Sequence, residues 1–181
     1  LTDHIQVDKI DGSPIQSVVV GNFFYARVQA ATAGAAVNLN RYVIEPTVLG
    51  RVWNDPANKR IWNGIRIGPK CLKVRERMAG IEYCRNTGIE CSISLIADKV
   101  IDIYLQGDYI RDNAIGVGFF GHIEGVYTAP SVILYTNGTN YAMSAAAPGN
   151  LNVVKIWDGD CDTGGTGYSF VNVSALHIRQ W

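Results

Sequence analysis

The chain has 181 residues, 48% of them hydrophobic and only 18% charged, with 16 basic and 16 acidic side chains that cancel. That balance excludes a disordered chain, which needs low hydrophobicity and a large net charge. It also leaves no global field to attract nucleic acid or an anionic membrane, so a nucleic-acid partner is not expected. No run reaches the roughly 18 apolar residues of a membrane helix.

In chain order, short runs rich in Val, Ile, Tyr and Phe alternate with Gly, Asn, Asp and Pro clusters, the pattern of β-strands and turns. Ile5–Ile10 ends at Asp11-Gly12-Ser13-Pro14, and Ile15–Val20 and Phe23–Ala31 follow. Val37–Ile44 alternates until Glu45-Pro46; Val48–Trp53 stops at Asn54-Asp55-Pro56; Ile61–Ile67 stops at Gly68-Pro69. Cys71–Met78 reads as a strand, but Val74, Met78 and Ile81 also sit at helical spacing, which allows a short helix over Lys73–Tyr83. Cys91–Ile96 and Val100–Leu105 are strands, and Ile115–Gly125 is a glycine-rich one, where glycine marks a bulge or a close backbone approach. Ser131–Thr136, Asn137-Gly138 and Thr139–Met143 form the strongest local signal, an Asn-Gly hairpin. Asn152–Trp157 and Tyr168–Trp181 complete the set.

No amphipathic helix of useful length and no internal repeat stands out. The expected fold is therefore all-β: one domain over 1–181, an antiparallel β-sandwich of jelly-roll type with at most one or two short helices.

The four cysteines, Cys71, Cys84, Cys91 and Cys161, fit no zinc spacing. They fit either two disulfides or four buried thiols. Asp158, Asp160 and Asp162 alternate through a glycine-rich stretch and resemble an acidic calcium loop, since hard cations want several oxygens. The run departs from the EF-hand pattern, with Thr163 where glycine belongs and Ser169 where glutamate belongs. The alternative is a solvated acidic turn.

Eight basic residues fall between Lys59 and Arg85, interleaved with Trp53, Trp62 and Tyr83. They read either as an anion-binding patch or as a solvated strand face. Trp53, Trp62 and Trp157 flank polar segments carrying Asn54, Asp55 and Asn63, an arrangement suited to a shallow carbohydrate site: the ring takes the apolar face of a sugar and the amides take its hydroxyls.

Catalytic patterns are missing. His4, His122 and His177 are scattered, and the glycine run Gly116–Gly121 lacks the helix a phosphate loop requires. The expectation is a non-enzymatic, lectin-like or receptor-binding head of a viral, phage or bacterial surface fibre. It would lie outside the cell or on a virion, bind glycan, and assemble as a homo-oligomer, preferably a trimer. The alternatives are a structural virion protein working through subunit contacts and a secreted β-sandwich hydrolase.

Overall fold

The computed structural model describes residues 5–8, 13–24, 34–54, 56–57, 59, 61–145, 151–158, 160–162 and 166–180. The strands in chain order are β1 Ile5–Asp8, β2 Ile15–Gln16, β3 Val19–Phe24, β4 Ala35–Arg41, β5 Val43–Ile44, β6 Thr47–Val52, β7 Asn63–Ile67, β8 Leu72–Glu82, β9 Thr87–Ile93 and β10 Val100–Leu105. They continue as β11 Tyr109–Arg111, β12 Ile115–Gly121, β13 Ile123–Thr128, β14 Ile133–Tyr135, β15 Thr139–Ser144, β16 Leu151–Asp158, β17 Asp160–Asp162, β18 Thr166–Val171 and β19 Val173–Gln180. One short 3₁₀ turn, Ile96–Asp98, interrupts them.

The all-β expectation holds, but the antiparallel sandwich does not. The strand pairs are parallel, and the chain winds as a β-solenoid. One sheet stacks β1-β4-β7-β9-β12-β15-β18; the other has twelve strands and carries the remaining faces of each coil. The register carries Ala35 onto Asn63, Thr87, Ile115, Thr139 and Thr166 in turn, steps of 28, 24, 28, 24 and 27 residues. Consecutive strands therefore lie on different faces of one coil. Each finds its hydrogen-bond partner one coil later, about 4.8 Å away.

The Asn-Gly hairpin is overturned by the same geometry. β14 and β15 belong to different sheets, and Asn137 points inward, 2% exposed, at the corner between them. The helix alternative over Lys73–Tyr83 also fails: all of that segment but Tyr83 lies in the long strand β8, which turns a corner and serves two faces.

Once the coil length is known, a repeat is legible. Asn63-Gly64-Ile65-Arg66-Ile67, Thr87-Gly88-Ile89-Glu90-Cys91, Ile115-Gly116-Val117-Gly118-Phe119, Thr139-Asn140-Tyr141-Ala142-Met143 and Thr166-Gly167-Tyr168-Ser169-Phe170 occupy the same place on successive coils. The third and fifth positions point inward. They build columns Val37-Ile65-Ile89-Val117-Tyr141 and Leu39-Ile67-Cys91-Phe119-Met143, all at most 1% exposed. The glycine position is set by crowding: a Cβ on Gly64 would lie 2.5 Å from the Gly88 carbonyl oxygen, and one on Gly88 would lie 2.7 Å from that of Gly116.

Corners are made by left-handed residues in register. Ser17, Glu45, Lys73, Asp102 and Ala175 stack in one column at φ between 51° and 58°, with Gly125 at 81°. Such a conformation costs a non-glycine residue about 1 kcal/mol or more, and the ladder on either side holds it. Tyr83, Asp112 and Thr136 repeat the device at another corner with φ of 57°, 57° and 51°. Directly after them the chain turns inward as Cys84, Asn113 and Asn137, all buried. Asn113 Oδ1 accepts the Cys84 backbone N–H at 2.7 Å, and Asn137 Oδ1 accepts the Asn113 backbone N–H at 3.0 Å. The amide ladder thus supplies partners that the backbone loses at a bend.

Candidate functional site

The face formed by β6, the second half of β8, β11, β14 and β17 carries the most organised surface cluster. Strand alternation turns Ile81, Ile110 and Leu134 into the core and leaves Arg51, Glu82, Tyr109, Arg111, Ile133 and Tyr135 on the outside. Glu82 is nonetheless fully covered, because its neighbours close over it: the side-chain exposure is 0% for Glu82, 40% for Arg51 and 29% for Arg111.

Its Oε1 accepts from Arg51 Nε at 2.8 Å and Nη2 at 2.5 Å, and from the Tyr109 hydroxyl at 3.0 Å. Its Oε2 accepts from Arg111 Nε at 2.8 Å and Nη2 at 2.6 Å. Burial pushes the Glu82 carboxyl up, but the two guanidiniums and the phenol outweigh burial and hold it below the ordinary carboxylate range. It is therefore an anchor for two arginines and a poor proton donor at neutral pH.

The arginines are also stacked. The Arg111 guanidinium lies 5.5 Å from the Tyr83 ring centroid, 5.6 Å from Tyr109 and 5.5 Å from Tyr135; Arg51 lies 5.8 Å from Tyr109. Gly80 makes the arrangement fit, since a Cβ there would meet the Tyr109 ring at 2.7 Å. Asp112 Oδ2 stands 3.6 Å from Arg111 Nε. The charges of Arg51, Arg111, Glu82 and Asp112 cancel, so the cluster offers fixed N–H and O–H groups and aromatic rings without a net field.

The residues singled out in the sequence are scattered relative to this cluster. Trp53 follows β6 directly, two residues after Arg51, and is half-buried. Asn54 is buried and donates to the Ile61 carbonyl at 3.5 Å. Asn63, 3% exposed, accepts from Asn86 Nδ2 at 3.1 Å and from the Thr87 backbone N–H at 3.2 Å. These two amides are buried and hold corners. Trp62 is half-buried with the Arg85 guanidinium 5.3 Å over its ring. Asp55 lies outside the described residues, and for Trp157 only the backbone is described, paired with Arg179.

The Asp158–Asp162 run is divided between two strands. Asp158 closes β16 opposite Gln180, while Asp160 and Asp162 lie in β17 opposite Ile133 and Tyr135. Those two positions extend the Arg–Tyr face by one coil. Residues 163–165 lie outside the described residues, so the calcium expectation falls partly beyond them. Cys71, Cys84 and Cys91 are buried free thiols, the alternative to the disulfide expectation; Cys161 is described only in its backbone, opposite Leu134. Burial pushes the Cys71 thiol up to about 11 and raises Cys84 and Cys91 as well, which leaves them unreactive.

The basic stretch is no single patch. It covers one whole coil, so its side chains leave in several directions. Arg66 pairs with Glu90 at 3.9 Å, Lys70 with Asp98 at 3.8 Å and Lys73 with Glu45 at 3.0 Å, while Lys59 donates to the Asp112 carbonyl at 2.8 Å.

Glu82, Arg111 and Tyr135 had no local signal. They are 24 to 29 residues apart and meet only because they share a position in successive coils.

Comparison with protein-family models, with curated proteins and with solved structures found no match in any of the three. No helix among the described residues is long and apolar enough to cross a membrane.

Proposed function

We propose that this chain is a non-enzymatic recognition module of a viral, phage or bacterial surface fibre, acting outside the cell or on a virion, and that it binds carbohydrate on the Arg51–Tyr109–Arg111–Tyr135 face. The observation that carries the reading is Glu82: a buried carboxylate fixes two half-exposed guanidiniums against tyrosine rings on a rigid sheet. Donors held in place lose little entropy on binding, and a neutral cluster suits hydroxyl-rich ligands. A parallel solenoid suits a fibre because its stacked coils make a long, stiff lateral surface. Homotrimer assembly belongs to the same proposal.

A glycan array probed with the intact chain, followed by Tyr109→Ala and Tyr135→Ala, tests it. Loss of affinity by tenfold or more in both variants, with unchanged circular dichroism, is the expected result. A blank array, or glycan binding indifferent to both substitutions, overturns it. Sedimentation equilibrium tests the trimer.

A further inference from the structure

Arg41, Arg51, Arg66, Lys70, Lys73, Lys99 and Arg111 form ion pairs. Among the described residues Arg75, Arg77 and Lys155 have no carboxylate partner, and they share one side of the solenoid. The register places Arg75, Tyr104, Tyr127, Lys155 and His177 at one position on five successive coils. Buried residues flank the first four members on both sides, so those side chains point outward; His177 lies on the next coil between the partly exposed Leu176 and Ile178. Arg77 lies two residues along β8 and donates to Gln106 Oε1 at 2.9 Å. Lys59 and Arg85, which also lack carboxylates, sit at a different corner and are taken up by a carbonyl and by Trp62.

The middle of the column is a tyrosine pair. The Tyr104 and Tyr127 rings stack at 5.0 Å with 15° between planes, and Lys155 Nζ sits 5.9 Å over Tyr127. Rings stacked on each other present their edges and hydroxyls outward. Beyond Lys155 a cleft of about 570 Å³ is lined by Lys155, His177 and Arg179 above Leu176 and Ile178. On the other flank, Asp102 and Glu124 lie near Tyr127, Glu124 being tied to Lys99.

From this arrangement we infer that the column is a second binding strip, for an anionic polysaccharide lying along the solenoid axis. Its charged groups sit at the Arg75/Arg77 end and in the Lys155/His177/Arg179 cleft, and its hydroxyls sit over the two phenols. Successive coils are about 4.8 Å apart, so Arg75 and Lys155 are about 14 Å apart, within the span of a short oligosaccharide. Nucleic acid fits less well, because bases need free ring faces, and here each ring covers one face of the other while Lys155 sits over the outer face of Tyr127. The shared chemistry is a repeated anion on a sugar chain, either carboxylate or sulfate ester. The strip is separate from the Arg51–Tyr109 face and does not depend on it.

Binding of a hyaluronan decasaccharide (carboxylate) and of short dextran sulfate (sulfate ester) is measured on the intact chain, with neutral dextran and single-stranded oligo(dT) as comparisons. At least one acidic glycan is expected to bind, with affinity falling steeply as salt rises. Arg75→Gln and Lys155→Gln should each weaken it about tenfold, Lys155→Arg should restore it, and Arg66→Gln, an exposed charge removal on the other sheet, should leave it unchanged. No binding of either acidic glycan, binding equally strong to oligo(dT), or affinity indifferent to both charge removals overturns the strip. Loss in Tyr109→Ala alone would place the glycan on the other face and also overturns it.

Discussion

Asn113 donates its Nδ2–H to Oδ1 of Asn137, one coil away, at 3.0 Å, and both side chains are buried. Asn113 Nδ2 also reaches the Ile81 carbonyl at 3.3 Å, while Asn137 Nδ2 reaches the Ile110 carbonyl and Asn140 Oδ1, each at 2.9 Å. The pair joins consecutive coils through side chains where the strands themselves bend. Asn113→Ala strips the Cys84 backbone N–H of its acceptor inside the core. An unmet buried polar group costs about 1–3 kcal/mol, so with the cavity the loss should be about 3 kcal/mol, read as a lower thermal midpoint. Asn113→Asp keeps the acceptor but sets a second oxygen against Asn137 Oδ1 and the Ile81 carbonyl, and should do no better. A midpoint unchanged in both variants would show that the ladder is decoration.

Glu76 should make stability depend on pH near neutrality. It is 2% exposed and accepts from the Met78 backbone N–H at 2.6 Å and the Gly107 N–H at 3.1 Å. Burial outweighs those bonds and pushes its carboxyl up to about 7. The folded value lies above the unfolded one, so below about pH 4.5 both states are protonated and the full stability is present. Between about 4.5 and 7 only the unfolded state releases the proton, and stability falls as pH rises, by about 3 kcal/mol in all. Glu76→Gln removes that slope and leaves one of the two N–H groups without an acceptor. Denaturation from pH 4.5 to 8 should find the variant less stable than the parent at the acid end and closer to it, or above it, at pH 8. Parallel curves would refute this.

Glu82, on the same strand, has the opposite sign. Its carboxyl is held below the ordinary range, so its contribution is present above the unfolded value and disappears as pH falls through the folded one. Glu82→Gln leaves Arg51 and Arg111 without the charge that joins them. Both are partly in water, so the cost at neutral pH should be about 2 kcal/mol, below the roughly 3–5 kcal/mol for breaking a fully buried pair. Thermal melts between pH 2 and 6 should show a shallower acid limb in the variant. An acid limb as steep as the parent's would assign acid unfolding to other carboxylates.

How much of this the sequence carried is clearest at particular residues. Alternation in Val37–Ile44 and Val100–Leu105 correctly marked strands, because a strand buried on one side shows a two-residue beat whatever its partner does. The same beat is silent on direction. Parallel strands usually need a helical crossover, and the lack of helices argued for antiparallel pairing; here the crossover from β9 to β12 is built of the strands β10 and β11. Asn137-Gly138 was misread because the pair that forms a hairpin turn also forms a solenoid corner. There the asparagine turns in as a hydrogen-bonding post, and the glycine clears the Ala114 carbonyl, 2.7 Å from where a Cβ would stand. The repeat was hidden by coils of unequal length, such as the added turn at Ile96–Asp98. With it went the Glu82–Arg111–Tyr135 cluster, whose members are neighbours only through the coil period.

Two glycines, one in the inner column and one on the other sheet, offer a graded test of that period. In Gly88→Ala the new methyl would lie 2.7 Å from the Gly116 carbonyl oxygen and 2.7 Å from Ile110 Cγ2, so the strand stack itself would have to open. In Gly21→Ala the nearest atom is Leu49 Cβ at 3.1 Å, on the half-open edge where β3 meets β6. The first should cost about 3 kcal/mol, in the upper range of single substitutions. The second should stay within about 1 kcal/mol, because a 3.1 Å contact asks the outer strand for only a few tenths of an ångström, far less than opening the stack of paired strands in the core. Thermal midpoints of both variants against the parent decide the matter: equal, small losses would mean that the rungs are not stacked in the register that sets Gly88 under Gly116, and the lateral clusters built on that register would lose their basis.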